Sequence, residues 1–113
     1  MPTFSPRQGD LITLSFDPQA GHEQRGRRPA IVVSRDLFNR RTGLCLACPI
    51  TNTDRNYPFH VALPSDAPVS GFVMVEQVKS IDYTARRARR IGAAPAALLQ
   101  EVLSILDACI YEP

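Results

Sequence analysis

The alternation of apolar and polar positions predicts a chain built mainly of short β-strands. Along residues 11–17, Ile12, Leu14 and Phe16 fall on one face, as expected of a half-buried strand. Further strands are predicted at residues 30–34, 44–50, 59–63 and 71–81, between loops rich in proline, glycine and asparagine. In the last of these strands we expect Phe72, Met74, Val78 and Ile81 to be core residues. This spacing is typical of a small barrel or sandwich.

The segments that connect the predicted strands have less distinct sequence patterns. Residues 17–28 lack periodicity and are predicted to form a loop, and residues 36–43 a turn or a single helical turn. Pro49 lies near the end of a predicted strand and limits pairing there because proline has no N–H to donate.

The C-terminal segment changes to a helical period. Pro95 fits the first position of a helix, where its missing N–H needs no partner. An apolar stripe at helical spacing follows, formed by Leu98, Leu99, Val102, Leu103, Ile105, Leu106 and Cys109. We therefore expect an amphipathic helix whose main role is to cover the small barrel.

Length and composition favour one globular domain over residues 1–113. The chain has 44% apolar and 21% charged residues, which separates it from disordered sequences. No apolar run approaches the roughly 20 residues that a membrane span needs, and the first residues lack a signal-peptide pattern. We expect a cytoplasmic protein with no membrane partner.

The three cysteines fit a reducing compartment rather than a disulfide framework. Cys45 and Cys48 form a C-x-x-C pair, but residues three apart on a strand point to opposite faces. No second Cys/His pair completes a zinc site. We expect buried structural cysteines, no metal and no cofactor.

Positive charge is carried almost entirely by arginine. The net charge is only +2, yet twelve of the thirteen basic residues are arginine, and they cluster at residues 25–28 and 86–90. No acidic residue lies between Tyr83 and Gln100, so the second cluster has no local neutralisation. Arginine suits phosphate recognition, which points to a nucleic-acid or other polyanionic partner. A GC-rich coding sequence explains the composition equally well.

Several kinds of active site are excluded by the residues present. The two histidines, His22 and His60, do not form a pair, and no phosphate loop or nucleophile elbow occurs. Scattered carboxylates argue against a two-metal site. Enzyme chemistry would have to rely on arginine, hydroxyl groups and one carboxylate. The candidates are Arg28, which Pro29 biases toward an extended backbone, and Thr51. Taken singly, Arg28 is better explained as a surface salt-bridge residue and Thr51 as a loop or helix-capping residue.

Short motifs follow one another along nearly the whole chain. They begin with Gly9-Asp10-Leu11-Ile12 and Phe16-Asp17-Pro18, then Gly21-x-Glu23-Gln24-x-Gly26-x-Arg28-Pro29-Ala30-Ile31-Val32-Val33-Ser34. The later motifs are Asn39-x-x-Thr42-Gly43, Pro49-Ile50-Thr51, Tyr57-Pro58-Phe59-x-Val61 and Gln77-Val78-Lys79-Ser80-Ile81. This ordered set resembles the MazF/PemK toxin family. The resemblance implies a mainly β (α+β), SH3-like small β-barrel of the CcdB/PemK kind with short helices. It also implies a homodimer.

The resemblance implies an mRNA interferase, which cleaves single-stranded RNA at short sequences without a metal. Arg28 and Thr51 match the principal catalytic residues, and Glu23 is the candidate base, although an ordinary carboxylate is a weak one. RNA-binding roles are expected for Gln24, Arg27, Asn52, Thr53, Tyr57, Gln77, Lys79, Arg86 and Arg87. The expected partner is a MazE-like antitoxin with an acidic, apolar disordered tail.

Two alternatives stay open at this point. The first is a catalytically inactive barrel of the same fold that binds a protein target. The second is a basic barrel that holds RNA or DNA in a structural role, without strand scission. Intact Arg28 and Thr51 favour the nuclease.

Overall fold

The structure, a computed structural model, describes residues 4–15 and 26–111. Seven strands and two helices lie within these residues. In chain order they are β1 Asp10–Ser15, β2 Arg27–Val32, α1 Asp36–Thr42, β3 Leu44–Thr51, β4 His60–Ala62, β5 Phe72–Met74, β6 Lys79–Asp82, β7 Arg89–Ala93 and α2 Ala96–Tyr111. A 3₁₀ turn, Val75–Gln77, connects β5 to β6. Phe16, His22, Glu23 and Gln24 lie outside the described residues.

All strand pairs recorded for the described residues are antiparallel, in the order β4-β5-β3-β2-β1-β7. Strand β3 is the centre of the sheet: along one edge it pairs with β2, and along the other its first half pairs with β6 and its end with β5. Among the described residues no recorded pairing joins β4 to β7, so the sheet is not closed. The prediction of a mainly β fold with short helices and a C-terminal helix is confirmed.

Both faces of the sheet are buried. The helix-side core lies beneath α2 and contains Leu11, Ile31, Val33, Cys48, Ile50, Val61, Val73, Val75, Leu98 and Val102. The second cluster, here called the cleft-side core, contains Ile12, Leu14, Ala30, Val32, Cys45, Ala47, Ile81 and Tyr83. Each fully buried aliphatic side chain contributes about 1.5–3 kcal/mol to stability.

The prediction that β1 is half-buried is wrong. Leu11 and Ile12 are adjacent and therefore point to opposite faces, yet neither is exposed to solvent. Strand β1 has β2 on one side and β7 on the other, so both of its faces contribute to a core. Strand β7 was not predicted, because its sequence is Arg-Arg-Ile-Gly-Ala and has no apolar alternation.

Two predicted boundaries are corrected by the pairing. Strand β2 begins at Arg27 rather than Ala30, because the β1 ladder continues to Leu14↔Arg28 and Ser15↔Arg27. The strand predicted at residues 71–81 is divided by the 3₁₀ turn. The register Ile50↔Val73 turns Val73 and Val75 into the helix-side core, whereas Phe72, Met74 and Val78 are only partly buried. Ile81 is a core residue, as predicted.

Helix α1 is longer than the single turn expected. Asp36 lies in its first turn and Arg40 and Arg41 in its last, which matches the helix dipole. Gly43 ends the helix in the left-handed conformation, at φ 72°, and its N–H donates to the Asn39 carbonyl.

Helix α2 begins at Ala96, so Pro95 directly precedes the helix instead of holding its first position, and the helix buries Leu98 and Val102. Its apolar stripe ends earlier than expected, since Cys109 is exposed. No helix among the described residues is long and apolar enough to cross a membrane.

Candidate active site

Two prolines end the ladder between β2 and β3. The last recorded pair is Ala30↔Pro49, and Pro29 adjoins it on β2. Because neither proline has an N–H to donate, the ladder cannot continue regularly beyond this pair. Arg28 lies two residues from Ala30 and Thr51 two residues from Pro49. Because alternate residues of a strand share a face, Arg28 and Thr51 both lie on the face of the cleft-side core, although no recorded strand pair joins them.

A small cleft of about 20 Å³ lies at this point of the sheet. Its lining comprises Leu14, Arg28, Pro29, Ala30, Pro49, Lys79, Ile81 and Arg86. Three of these residues are cationic, and none is acidic. The others form an apolar floor, in which the electrostatic attraction of an anion is stronger than in bulk water. Chain segments far apart in sequence thus converge on one small, positively charged depression.

The apolar floor was not anticipated as part of a site. Leu14 and Ile81 were expected only as core residues, and Ala30 and Pro49 only as strand residues. These residues share one face of the sheet, as the pairing of Leu14 with Arg28 in the β1–β2 register shows. The sequence could have indicated them only together with that register, which depends on the partner strand.

Arg86 reaches the cleft from the turn between β6 and β7. The Ser15 N–H donates to the Arg86 carbonyl at 2.7 Å, and Arg86 Nη1 donates to the Ser15 carbonyl at 3.4 Å. Within the turn, the N–H groups of Arg86, Arg87 and Ala88 donate to the carbonyls of Asp82, Thr84 and Tyr83. Hydrogen bonds within the turn therefore stabilise it, and its hydrogen bonds with Ser15 attach it to the end of β1.

The remaining arginines of the basic cluster have separate surroundings. Arg87 is exposed and has a left-handed backbone, with φ 54°. Arg90 Nε donates to Asp10 Oδ1 at 3.0 Å, and the Asp10 side chain is 6% exposed. The expectation that this cluster lacks neutralisation is thus wrong for Arg90, because strand pairing brings an acidic residue from 80 positions away.

Arg27 lies on the other face of β2. Its Nη2 donates to the Thr13 carbonyl at 3.0 Å, to Thr13 Oγ1 at 2.8 Å and to the Arg87 carbonyl at 2.8 Å. Burial, and secondarily the nearby charge of Arg89, lower the pKa of Arg27 below its ordinary value. The predicted RNA-binding role of Arg27 stays a prediction.

The loop after Thr51 begins at the end of β3. The Thr53 N–H donates to Thr51 Oγ1 at 3.2 Å, so the hydroxyl stabilises the start of the loop. Asn52 and Thr53 are exposed. Gly71 permits the close approach of the neighbouring chain, because a Cβ there would lie 2.5 Å from the Thr51 carbonyl oxygen.

An aromatic group follows this loop. Tyr57 is 51% exposed and Phe59 is 41% exposed, so Phe59 is not a core residue. The Tyr57 ring packs edge-on against Phe59 and against His60. The His60 side chain is 3% exposed, and its Nε2 lies 3.0 Å from Glu76 Oε2. His60 is thus structural, and its pairing with Glu76 could not be inferred from two residues sixteen positions apart.

The other predicted site residues are placed as follows. Lys79 is half-buried in β6, opposite Ala47, and lines the cleft, whereas Gln77 is exposed at the end of the 3₁₀ turn. Glu23 and Gln24 lie outside the described residues, so the structure does not place them. In the described part of the chain, no group of three His, Cys, Asp or Glu residues is arranged to hold a metal ion.

The arrangement suits stabilisation of a phosphate in a phosphoryl-transfer reaction. Arg28, Lys79 and Arg86 supply positive charge around one depression. Thr51 is not among the residues that line this depression, and it lies at the end of β3 on the same face of the sheet. Preorganised donors of this kind lower the energy of a transition state in which charge accumulates on phosphate oxygens. Fold and site together define a small, mainly antiparallel β protein with a cationic cleft for a polyanion.

Comparison with known proteins gives the family. Residues 7–110 match the model of the PemK-like, MazF-like toxin of type II toxin–antitoxin systems. The chain is 40% identical over 107 residues to the endoribonuclease toxin MazF of Escherichia coli K12, covering 95% of this chain and 96% of that protein. It is 42% identical over 108 residues to the endoribonuclease toxin ChpB of the same strain, covering 91% and 92%. The chain therefore belongs to the PemK/MazF toxin family, as its motifs indicate.

Solved structures agree with this assignment. The crystal structure of MazF (Form-I) from Deinococcus radiodurans superposes with a TM-score of 0.84 at 45% identity, covering 96% of this chain and 98% of that one. A chain of the MazE–MazF structure (Form-II) from the same organism gives a TM-score of 0.85 at 38% identity, covering 98% of this chain and 100% of that one.

Proposed function

We propose that this protein is the endoribonuclease toxin of a type II toxin–antitoxin system and that it cleaves single-stranded mRNA at a short sequence. The observation that carries the proposal is the cleft in which Arg28, Lys79 and Arg86 surround an apolar floor. The family match and the endoribonuclease relatives support it. Because mRNA is its substrate, the proposal places the protein in the cytoplasm.

The proposed chemistry is transesterification within the RNA. The ribose 2′-oxygen attacks the adjacent phosphorus and loses its proton to a general base, for which Glu23 is the candidate. The bond from phosphorus to the 5′-oxygen breaks, and that oxygen takes a proton from water. The products are a 2′,3′-cyclic phosphate and a free 5′-hydroxyl. Arg28 stabilises the negative charge of the transition state, and Thr51 donates to a non-bridging oxygen. No step is assigned to a metal.

Substrate binding is proposed to extend outward from the cleft. Exposed Tyr57 offers a ring on which an unstacked base can stack. Gln24, Asn52, Thr53 and Gln77 supply polar groups for base edges. Lys79, Arg86 and Arg87 bind phosphates, so substitution of these cations is expected to weaken RNA binding and flatten its salt dependence.

The partner proposed is an antitoxin whose acidic, apolar tail folds onto the cationic cleft. Positive charge around the cleft, and the MazE–MazF complexes among similar structures, support this. A homodimer is also proposed, and exposed apolar residues such as Leu37, Phe38 and Ile110 support it by offering surface for a second copy. Sedimentation analysis of the purified protein tests the dimer.

The decisive experiment is cleavage of a long single-stranded RNA in EDTA, with the cut sites mapped by primer extension. Wild type is compared with Arg28→Ala and Thr51→Ala, and with Arg41→Ala and Thr84→Ala as matched changes of exposed residues. Cuts at one recurrent short sequence, lost in the first two variants and kept in the controls, are expected. A folded, antitoxin-free wild type that binds RNA without cutting it would contradict the proposal.

A further inference from the structure

Arg27 and Arg28 are adjacent in β2 and therefore face opposite sides of the sheet. Arg28 lines the cleft, whereas the Arg27 guanidinium lies over β1 beside Thr13. Its Nη2 is shared among three oxygen acceptors at 2.8–3.0 Å, two of Thr13 and the carbonyl of Arg87. The hydrogens of Nη2 thus point into the protein rather than outward to a phosphate.

The acceptor on Arg87 connects Arg27 to the turn that carries Arg86. This turn, residues 83–88, includes Arg87 in the left-handed conformation, which L-residues with a Cβ adopt at an energetic cost. A charged donor on the Arg87 carbonyl offsets this cost and fixes the orientation of the peptide that follows. One face of the turn is therefore held by a residue 60 positions away in the chain.

A second attachment holds the same turn at Arg86. The Ser15 N–H donates to the Arg86 carbonyl, and the Arg86 side chain donates back to the Ser15 carbonyl. The turn is consequently docked at two successive residues, Arg86 through Ser15 and Arg87 through Arg27. Two attachments fix both the position and the tilt of the turn, and hence the direction in which the Arg86 side chain enters the cleft.

The surroundings of Arg27 favour a structural contact over an anion contact. Arg89 lies near enough to lower its pKa, so Arg27 is held beside a like charge and is also partly buried. Neutral carbonyl and hydroxyl oxygens of β1 and the turn compensate for that placement. A planar guanidinium can bridge two chain segments with several donors, which a lysine ammonium does less well.

We propose that Arg27 is a positioning residue, which acts through Arg87 and the 83–88 turn to hold Arg86 in the cleft and does not itself contact RNA. The proposal rests on the proposed function, since it assigns Arg86 to substrate binding. It replaces the RNA contact that the sequence predicts for Arg27.

The test uses Thr13→Val, which removes the Oγ1 acceptor without changing any charge, with Thr84→Val as the matched control in the turn. The measurement is the Kd for a single-stranded RNA methylated at its 2′-oxygens, which cannot be cleaved. We expect Thr13→Val to weaken binding roughly threefold, the scale of one lost hydrogen bond among several, and Thr84→Val to leave it unchanged. Wild-type affinity for Thr13→Val would overturn the proposal.

A multiple-mutant cycle separates positioning from direct contact. If Arg27 acts only through the turn, then Arg27→Gln in an Arg86→Gln/Arg87→Gln background causes no further loss of affinity and no further change in salt slope. If Arg27 contacts a phosphate, the slope of log K against log salt falls by about 0.7 more in that background, and the proposal fails.

Hydrogen exchange gives a readout that does not depend on RNA. The Ser15 amide, which donates to Arg86, is expected to exchange faster in Arg27→Gln and Arg27→Lys, while the amides of β3 keep wild-type rates. Unchanged protection of Ser15 would contradict the positioning role. If wild type binds no RNA at all, the proposed function fails, and this measurement still decides whether Arg27 holds the turn.

Discussion

Asn39 is the buried polar residue on which the N-terminal half of the fold converges. Its Nδ2 donates to the carbonyls of Pro6 and Ser34, and its Oδ1 accepts from the Ser34 hydroxyl, which in turn accepts from the Leu46 N–H. Its own carbonyl accepts from the Tyr83 hydroxyl at 2.8 Å. One amide side chain thus connects the chain start, α1 and β3.

We expect Asn39→Ala to lower the free energy of unfolding by about 1–3 kcal/mol, because it leaves buried groups without partners. Chemical denaturation followed by circular dichroism measures the change. Asn52→Ala, at an exposed loop position, serves as control and is expected to stay within about 0.5 kcal/mol of wild type. Equal stability of the two variants would show that the network around Asn39 contributes nothing.

The three cysteines are expected to differ in reactivity because two are buried and one is exposed. Burial raises the pKa of Cys45 to about 11, and burial together with the charge of Glu76 raises that of Cys48 to about 12. Cys109 is exposed. Because the thiolate is the nucleophile, both buried thiols stay protonated and unreactive at pH 8.

A disulfide exchange reagent at pH 8 is therefore expected to label one thiol rapidly in the native protein and all three after denaturation. In Cys109→Ser the rapid phase disappears. Rapid labelling of Cys45 or Cys48 in that variant, detected by mass spectrometry of peptides, would contradict their burial.

At this scale the sequence predicts some features and misses others. Cys45 and Cys48 were expected on opposite faces from their spacing, and they lie in the cleft-side and helix-side cores. The role of Asn39 was not predictable, since two of its contacts depend on how α1 packs against Pro6 and Tyr83.

At the scale of elements, the strand connections decide the shape of the site. The sequence predicts β4 and α2 well, because each carries its own periodicity. It fails for β7, and it misassigns the core face of β5, because there the partner strand, rather than the local pattern, decides burial. Propensity is a weak guide wherever pairing determines the environment.

Gly71 is one position at which strand pairing, rather than the local sequence pattern, determines the environment. It precedes β5 with φ 129°, in the region that favours glycine, and its Cβ position is only 2.5 Å from the Thr51 carbonyl oxygen. We expect Gly71→Ala to destabilise the protein by about 1–3 kcal/mol and to reduce RNA cleavage, since the β3–β5 contact carries Thr51.

Gly43→Ala is the matched comparison for this prediction. Gly43 also has a positive φ, but nothing lies within 4 Å of its Cβ position. A moderate loss of stability with unchanged cleavage is therefore expected, from the backbone conformation alone. Parallel thermal unfolding and cleavage assays make the comparison, and equal activity losses in both variants would refute the link between Gly71 and Thr51.

At the scale of the molecule, the cleft is assembled from β1, β2, β3, β6 and the turn before β7. Motif resemblance identifies Arg28 and Thr51 and includes Lys79, whereas the arginine cluster at residues 86–90 indicates Arg86. The meeting of Arg28, Lys79 and Arg86 around Leu14 and Ile81 follows only from the three-dimensional pairing of four strands. The family and the reactive groups can therefore be predicted from the sequence, whereas the other residues that line the cleft are known only from the fold.

The proposed reaction also makes a prediction about the substrate as a whole. An all-deoxy strand with the mapped cleavage sequence is expected to resist cutting entirely, because it has no 2′-oxygen to attack phosphorus. Restoring one ribonucleotide on the 5′ side of the scissile phosphate is expected to restore cleavage at that bond alone. Gel analysis of end-labelled strands measures this, and cutting of the all-deoxy strand would exclude the mechanism.

The antiparallel pairing of β1 with β7 affects how the protein is made. Asp10 and its partner Arg90 are 80 residues apart, so during translation β1 has no outer neighbour until most of the chain has been synthesised. Contacts of such long sequence separation form slowly. The turn carrying Arg86 also precedes β7 directly, so the cleft is completed only late in synthesis. A ribosome translating this message is therefore not exposed to an active nuclease from its own unfinished product.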